Sequence, residues 1–309
     1  MTSRRSKAAE GGAAQQHRTS GIEGGAGGAP LRERSYRQAA RTTVRRALRE
    51  DLAGYGDLTG SVFTGSGVAR VMAREAGVLS GVAALEETVL QVDPALAVEV
   101  FIHDGERFAA GDAVAELRGP LAAILAAERT ALNFLCRLSG IATLTATYVA
   151  ETAGTRARIA ATRKTTPGLR ALEKQAVVHG GGTPHRFGLF DGAMIKDNHV
   201  AAAGGVAAAV ARVRAGAAHV HALEVEVDTL EQLEEALAAG VTIVLLDNMD
   251  AAHVREAVGR VAGRAVVEVS GGVRLERVRE LAEAGVDVIS AGALTTRAPW
   301  IDLALDLEV

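Results

Sequence analysis

Apolar residues recur along this chain at two periods, and the changes of period divide it. From Leu31 to Leu52, Ala40, Val44, Ala47 and Leu48 fall on one side of a helix whose other faces carry many arginines. That spacing predicts an amphipathic helix. From Gly60 to Gly119 the rhythm shortens to alternating runs, Val68 to Ala73, Leu96 to Ile102 and Ala113 to Leu117, with Asp104-Gly105 and Gly111-Asp112 as turn signals. Short alternating runs punctuated by glycine read as a small, sheet-rich domain. Helical spacing returns at Leu121, Ile124, Leu125, Leu132, Leu135 and Cys136, which predicts one long helix with Glu128 and Arg129 near its middle and a domain boundary along it.

A regular beat follows. Apolar strands are predicted from Val220 to Val227, Val241 to Leu246, Ala265 to Val269 and Val286 to Ser290, with helical patterns between them. Glu226, Asp247 and Glu268 lie at or near the strands' carboxyl ends, at successive spacings of 21 and 21 residues. Strand and helix alternating at a short period make βα units and a parallel sheet. Acids repeated at one end of consecutive strands predict a barrel whose chemistry sits on that face.

Composition narrows the class without naming a reaction. At 309 residues the chain has room for about two domains. Hydrophobic residues make up 48% and charged residues 23%, as in a globular chain. The formal charge of −3 provides no global attraction to polyanions, so any phosphate site must be local, and no nucleic-acid partner is expected. The single cysteine, Cys136, excludes an internal disulfide framework and a Cys-rich zinc site, and it fits a reducing, cytoplasmic compartment. No apolar run reaches the roughly 18–20 residues needed to span a bilayer, so no membrane partner is expected. Residues 1–30, rich in Gly, Ala, Ser and Gln, lack the apolar segment of a secretory signal and read as a disordered tail.

One asymmetry points to chemistry. The chain has 30 Arg but only 4 Lys, and Lys164, Lys174 and Lys196 fall within 33 residues. A lysine kept amid so many arginines suits a compact ammonium that must approach one atom closely. These lysines belong to a basic constellation with Arg163, Arg170, His179, His185 and Arg186. Ile159-Ala-Ala-Thr162 reads as a strand running into Arg163-Lys164, and Ala193-Met-Ile195 as one running into Lys196. Both place cations at strand ends, on the face that carries the acids. Ser270-Gly271-Gly272 and Ala291-Gly292-Ala293 follow the last two strands, where (β/α) barrels often hold a phosphate on backbone N–H groups. Cations for an anionic substrate and carboxylates for a metal or for ribose hydroxyls are together met by a sugar polyphosphate that chelates Mg²⁺. His179 and His199 read as structural, Glu268 as a support for the phosphate loop, and Trp300 as packing the chain's end onto the first domain.

At these residues the chain resembles the quinolinate phosphoribosyltransferase family, nicotinate-nucleotide pyrophosphorylases (carboxylating). The resembling stretches include Glu50-Asp-Leu-Ala-Gly-Tyr-Gly-Asp-Leu-Thr59, Ala127-Glu-Arg-Thr-Ala-Leu-Asn133, Ser139-Gly-Ile-Ala-Thr143 and Thr162-Arg-Lys-Thr-Thr-Pro-Gly-Leu-Arg170. Further on come Gly180-Gly-Gly182, His185-Arg186, Ile195-Lys-Asp-Asn-His199, Glu224-Val-Glu-Val-Asp228, Leu245-Leu-Asp-Asn248 and the two glycine loops. The likeness runs in order from about residue 35 to the C-terminus.

The resemblance implies an α/β fold, an N-terminal α/β sandwich domain plus an incomplete (β/α) barrel, with the last residues returning to the first domain. The expected division is a tail over 1–30, a sandwich over 31–135, a catalytic barrel over 136–295 and a returning segment over 296–309. It also implies a reaction of quinolinate with phosphoribosyl pyrophosphate, giving nicotinate mononucleotide, CO₂ and pyrophosphate in NAD biosynthesis. By resemblance Lys164, Glu226 and Asp247 are catalytic. Arg129, Thr162, Arg163, His185, Arg186, Lys196, Ser270, Gly271, Gly272, Ala291, Gly292 and Ala293 join them in binding substrate. Glu226 and Asp247 are the candidate ligands of Mg²⁺, which is held mainly through the pyrophosphate. A homodimer is implied, with Arg129 reaching the partner's site. Two rivals stand beside this reading: a phosphoribosyltransferase acting on a ring acid with one carboxylate, and a non-catalytic sugar-phosphate-binding barrel or scaffold using the Arg-rich helix.

Overall fold

The computed structural model describes residues 29–308, so the tail expected over 1–30 lies almost wholly outside the described residues. Helix α1 (Ala29–Leu52) buries Tyr36, Ala40, Val44 and Leu48, one residue per turn, and leaves Arg41, Arg45, Arg46 and Arg49 exposed. Its stripe joins the larger apolar core, that of the barrel, and the helix packs on α2 (Val82–Val92), α3 (Leu121–Ala150) and α4 (Arg170–His179). The Arg-rich face is therefore the solvated side of a packed helix.

The first layer is a four-stranded antiparallel sheet of β1 (Ser66–Ala73), β3 (Ala97–Val100), β5 (Ala113–Pro120) and β12 (Leu303–Glu308), ordered β12-β1-β5-β3. A separate two-stranded pair comprises β2 (Gly77–Val78) and β4 (Arg107–Phe108). The region is not purely sheet: alternation concealed α2, whose Val82, Leu85 and Val89 are buried at helical spacing. Asp104, read from sequence as a turn residue, also starts that helix, because its carboxylate accepts the N–H groups of Gly81 (2.8 Å) and Val82 (3.1 Å). At the C-terminal end Trp300 stays 55% exposed, and Ile301 and Leu303 pack into the first domain's core in its place.

Helix α3 serves both cores. Leu132, Leu135 and Cys136 join the smaller one, while Phe134, Leu138, Ile141 and Tyr148 join the larger. Six parallel strands follow: β6 (Arg158–Ala160), β7 (Ala193–Ile195), β8 (Leu223–Val227), β9 (Ile243–Asp247), β10 (Val266–Ser270) and β11 (Val288–Ser290), ordered β6-β11-β10-β9-β8-β7. A parallel bridge from Ala160 to Thr183 extends the sheet past β6, and among the described residues no pairing joins that bridge to β7. The barrel is incomplete there. Around it run α4, α5 (Asp197–Ala203), α6 (Val206–Gly216), α7 (Leu230–Ala238), α8 (Ala251–Val261), α9 (Leu275–Glu283) and α10 (Ala293–Thr296). Strand β8 starts at Leu223 and not at Val220, because Ala218 to His221 forms a turn that leaves Val220 exposed.

Strand alternation sorts the barrel's side chains. Val225, Val227, Val244, Leu246, Val267, Val269 and Ile289 lie in the core beneath the helices. On the opposite face Glu226 and Glu268 both pair with Leu245, and Asp247 pairs with Ser270 one level higher. The repeat of 21 residues therefore puts its three acids at two different depths.

Candidate active site

Parallel pairing gathers the carboxyl ends of all six strands on one rim, and the loops that leave them carry the chemistry. Lys196, just past β7, forms an ion pair with Glu226 near the end of β8. The Lys196 backbone N–H donates to His199 Nδ1 at 2.9 Å, so His199 fastens the start of α5 and Lys196 with it. At the end of β9, Asn248 adopts φ +55 and donates Nδ2–H to Asp247 Oδ2 at 2.6 Å. The first glycine loop lies against that pair: a Cβ on Gly271, itself at φ +86, would come within 2.3 Å of Asn248 Oδ1. Only glycine fits there. The second glycine loop lies against Lys164, whose Cδ would be 2.9 Å from a Cβ on Gly292. Lys164 N–H donates to Thr162 Oγ1 at 3.0 Å, and Thr295 Oγ1 donates to the Lys164 carbonyl at 2.6 Å, tying this loop to α10.

Close to Glu224 and Glu226 lies a cationic wall of Arg163, Lys174 and Arg186. Arg186 donates to Gly192 O at 3.1 Å and to Met194 Sδ at 3.2 Å. Burial lowers its pKa, the Arg163 charge lowers it further, and Glu224, Asp191 and Glu226 work the other way. Arg163 keeps a buried Nε without a hydrogen-bond partner. Lys174 is fully buried with Nζ on the Pro184 carbonyl, and its pKa is pushed down to about 8, first by desolvation and then by Arg170, with Arg163 and Arg186 adding. Arg186 and Lys174 both feel the charge of Arg163, so several cations and one orphaned guanidinium donor lie together here without a protein anion to match them all.

Beneath that wall are His185, Glu224 and Glu268. His185 Nε2 is 3.5 Å from Glu224 Oε2 and 3.2 Å from Glu268 Oε1, and its Nδ1 accepts the Arg186 N–H at 2.6 Å. Burial, then the charge of Glu268, pushes the Glu224 carboxyl up to about 7. Burial works to lower His185, and the hydrogen bond and charge of Glu268 outweigh it. The Arg186 N–H facing Nδ1 leaves Nε2 as the ring nitrogen that carries the proton of the neutral imidazole. Glu268 thus serves the barrel interior and not the phosphate loop. His185 turns Nε2 towards the two buried acids.

Other cations and histidines named from the sequence have partners of their own. His179 meets Ser80 (2.9 Å), Gln175 (3.1 Å) and, at 3.8 Å, Asp104, which joins the barrel to the first domain. Arg170 donates to Thr165 Oγ1 at 3.1 Å and braces the loop after β6. Arg129 projects from α3 with its side chain 65% exposed, and the ion pair described for it is to Glu128 at 3.9 Å. Sequence reasoning missed Glu173 and Arg137. Glu173, wholly buried, accepts Thr166 N–H (3.0 Å), Thr166 Oγ1–H (2.8 Å) and Arg137 Nη2–H (2.9 Å), while Arg137 also reaches the carbonyls of Thr295 and Ala298. This pair locks the loop carrying Arg163 and Lys164 to α3 and to the chain's end. The available signal was a glutamate inside an otherwise basic, helical stretch.

Family models match both halves of the chain: the N-terminal domain of quinolinate phosphoribosyl transferase over residues 57–139 and its C-terminal domain over 141–306. The chain belongs to the quinolinate phosphoribosyltransferase family. It is 44% identical over 284 residues to the nicotinate-nucleotide pyrophosphorylase (carboxylating) of Mycobacterium leprae, covering 87% of this chain and 97% of that protein. It is 39% identical over 283 residues to a mitochondrial quinolinate phosphoribosyltransferase (decarboxylating) of Nicotiana tabacum, covering 85% and 80%. The solved nicotinate-nucleotide pyrophosphorylase of Francisella tularensis superposes with a TM-score of 0.85 at 37% identity, over 88% of this chain and 97% of that one. Family membership implies Mg²⁺, and the donors can be tested for it. Glu226 and Asp247 offer carboxylate oxygens at adjacent strand ends, but Glu226 is engaged by Lys196 and Asp247 by Asn248. Two part-occupied carboxylates suit an ion that keeps waters and substrate phosphates as its main ligands, and do not make a protein cage.

Proposed function

We propose that this quinolinate phosphoribosyltransferase family member joins the ring nitrogen of quinolinate to the anomeric carbon of phosphoribosyl pyrophosphate, releasing pyrophosphate and CO₂ and leaving nicotinate mononucleotide. The observation that supports the reading is that one rim gathers both signs: Arg186 feels the charges of Arg163 and Glu226, Lys196 pairs with Glu226, Asp247 ends the next strand, and Lys164 lies against a glycine loop. Planar guanidiniums grip the two carboxylates of quinolinate, and the unpartnered Arg163 Nε gains an acceptor. The glycine loops 270–272 and 291–293 bring backbone and the Lys164 ammonium to the phosphates. As the glycosidic bond breaks, positive charge grows on the sugar, and the carboxylates of Glu226 and Asp247 face it. Lys164 and Lys196 balance the departing pyrophosphate. Bound Mg²⁺, on Glu226 or Asp247 and the phosphates, would add charge neutralisation of that leaving group. No proton acceptor is needed for the transfer, because the attacking nitrogen carries no proton. Alignment and fixed charge supply the rate, and alignment alone can contribute about 7–11 kcal/mol. The ring nitrogen, now cationic, stabilises the electron pair that the broken C–C bond leaves on the adjacent ring carbon as CO₂ departs, and that carbon takes up a proton from solvent to give nicotinate mononucleotide.

The proposed assembly is a homodimer in the cytoplasm. Tyr55, Leu58, Val62 and Phe63 follow α1 as an exposed apolar group, and Leu189 and Phe190 stand exposed on the loop after Arg186. A second copy covering such surfaces fits their size, and it would carry the exposed Arg129 to a neighbouring rim. An acceptor with one carboxylate is the weaker alternative, since two clustered guanidiniums and a buried lysine exceed what it needs.

The test is direct. With quinolinate, phosphoribosyl pyrophosphate and Mg²⁺, the protein should release CO₂ and nicotinate mononucleotide in equal amounts. Faster turnover of nicotinate, without CO₂, would contradict the proposal.

A further inference from the structure

The three groups beneath the cationic wall have no part in the reaction as described, although they are buried in its floor. Glu224 on β8 and Glu268 on β10 are 7% and 4% exposed. Both approach one imidazole, and two of their oxygens have no hydrogen-bond partner: Glu224 Oε1, and Glu268 Oε1, which faces the ring as a charged contact. Two carboxyls and an imidazole whose ligand atoms all lie within 4.8 Å could hold a metal ion. The ring speaks against it: with Nδ1 accepting the Arg186 N–H, the single imidazole proton sits on Nε2, which then has no lone pair to give. That edge of the ring lies 3.2 Å from Glu268 Oε1 and 3.5 Å from Glu224 Oε2.

The same turn is held from a second side. Lys174 Nζ donates to the carbonyl of Pro184, immediately before His185. His185 itself adopts φ +50, a left-handed conformation uncommon for a side chain of this size. Such a backbone persists when the surroundings over-determine it. Here Lys174 fixes the residue before and the buried acids fix the ring. The residue after is Arg186, whose backbone N–H completes the chain of contacts at 2.6 Å.

Building on the diacid reading, we propose that Glu268, with Glu224 beside it, is a positioning residue for recognition of the diacid: it anchors the His185 ring, and His185 sets the backbone from which Arg186 reaches the substrate. Glu268 touches neither substrate nor reacting atoms. Its influence should fall on one substrate only, because the phosphate loops and Lys164 are braced independently, by Asn248, Thr295 and the Glu173–Arg137 pair.

The experiment compares Glu268→Ala, Glu268→Gln and Glu224→Gln with the wild-type chain, measuring kcat and the KM of each substrate, with thermal unfolding alongside. Losing the buried charged contact at His185 Nε2 should raise the quinolinate KM of Glu268→Ala about tenfold or more. The KM for phosphoribosyl pyrophosphate should stay within about twofold, since no contact to its loops is removed. Glu268→Gln, which keeps an oxygen for the Nε2–H, should recover most of the loss. Equal rises in both KM values, an unchanged quinolinate KM in folded Glu268→Ala, or no recovery in Glu268→Gln would overturn the proposal. Should Glu268→Ala fail to fold, the same split between the two KM values in Glu268→Gln and Glu224→Gln decides, and equal or absent effects overturn it. Wild-type protein inactive on quinolinate would overturn the functional reading and this inference together. Active wild type with unselective variants would overturn the inference alone.

Discussion

Glu226 and Glu268 flank the same residue, Leu245, on the interior face of the barrel, yet their surroundings differ sharply. Glu226 reaches the rim and pairs with Lys196, an exposed lysine on the loop after the neighbouring strand. Glu268 stays buried and meets an imidazole and a second carboxyl. Two glutamates at one level of one sheet thus perform different work, and the loop that crosses above each decides which. Over Glu226 the crossing loop brings the ammonium of Lys196, partly open to solvent. Over Glu268 it brings a ring locked by its own neighbours. The rim is built for exchange with ligands, and the floor is built to hold still.

The largest effects should come from the rim. Lys164→Ala, Arg163→Ala and Glu226→Gln should each lower kcat about 10²–10³-fold while leaving thermal unfolding nearly unchanged. Near-normal turnover in any of them would remove that residue from the machinery. Next comes the sharing of sites between subunits. Arg129→Ala and Lys164→Ala, each inactive, should regain about a quarter of wild-type activity when mixed under subunit exchange, as expected for one intact site per hybrid dimer. No recovery in confirmed hybrids would mean that Arg129 serves its own chain. A smaller effect is expected at the loop beneath the phosphates: Gly271→Ala must displace Asn248 and strain a positive φ, at about 1–3 kcal/mol. Most of that should appear as a raised KM for phosphoribosyl pyrophosphate.

The smallest effect belongs to the buried lysine. Lys174 has its folded-state pKa lowered to about 8 from 10.5. Between those values the unfolded chain binds more protons than the folded one, so this group's contribution to stability rises with pH from about 8 towards 10.5 and is a constant penalty below 8. Lys174→Met should therefore gain melting temperature relative to wild type at pH 7 and lose that advantage at pH 10. A difference that does not change with pH would contradict the shift.

Much of this was legible in the chain itself. The barrel followed from β8 to β11, whose alternating valines and leucines needed only the period to be recognised. The acids at strand ends were visible, but their depth was not, because a spacing of 21 residues says nothing about register. Pairing Glu226 and Glu268 with one leucine is a property of the assembled sheet. Helix α2 was hidden because its start depends on Asp104, 22 residues after Val82. Glu173 and Arg137 escaped notice for a related reason: they are 36 residues apart, and each looks like an ordinary surface charge until α3 and α4 pack. His185 was assigned to ligand binding by resemblance, and its contacts with Arg186 N–H, Glu224 and Glu268 became visible only in the assembled barrel.

The claim underlying all of this is that one side of the rim selects the diacid while the other serves the sugar. Titration calorimetry of quinolinate into wild type, Arg163→Ala and Glu226→Gln separates the two sides. The account predicts that Arg163→Ala weakens quinolinate binding about tenfold or more. It predicts that Glu226→Gln leaves the affinity within about threefold or tightens it, although its turnover collapses. Equal loss of quinolinate affinity in both variants would contradict it.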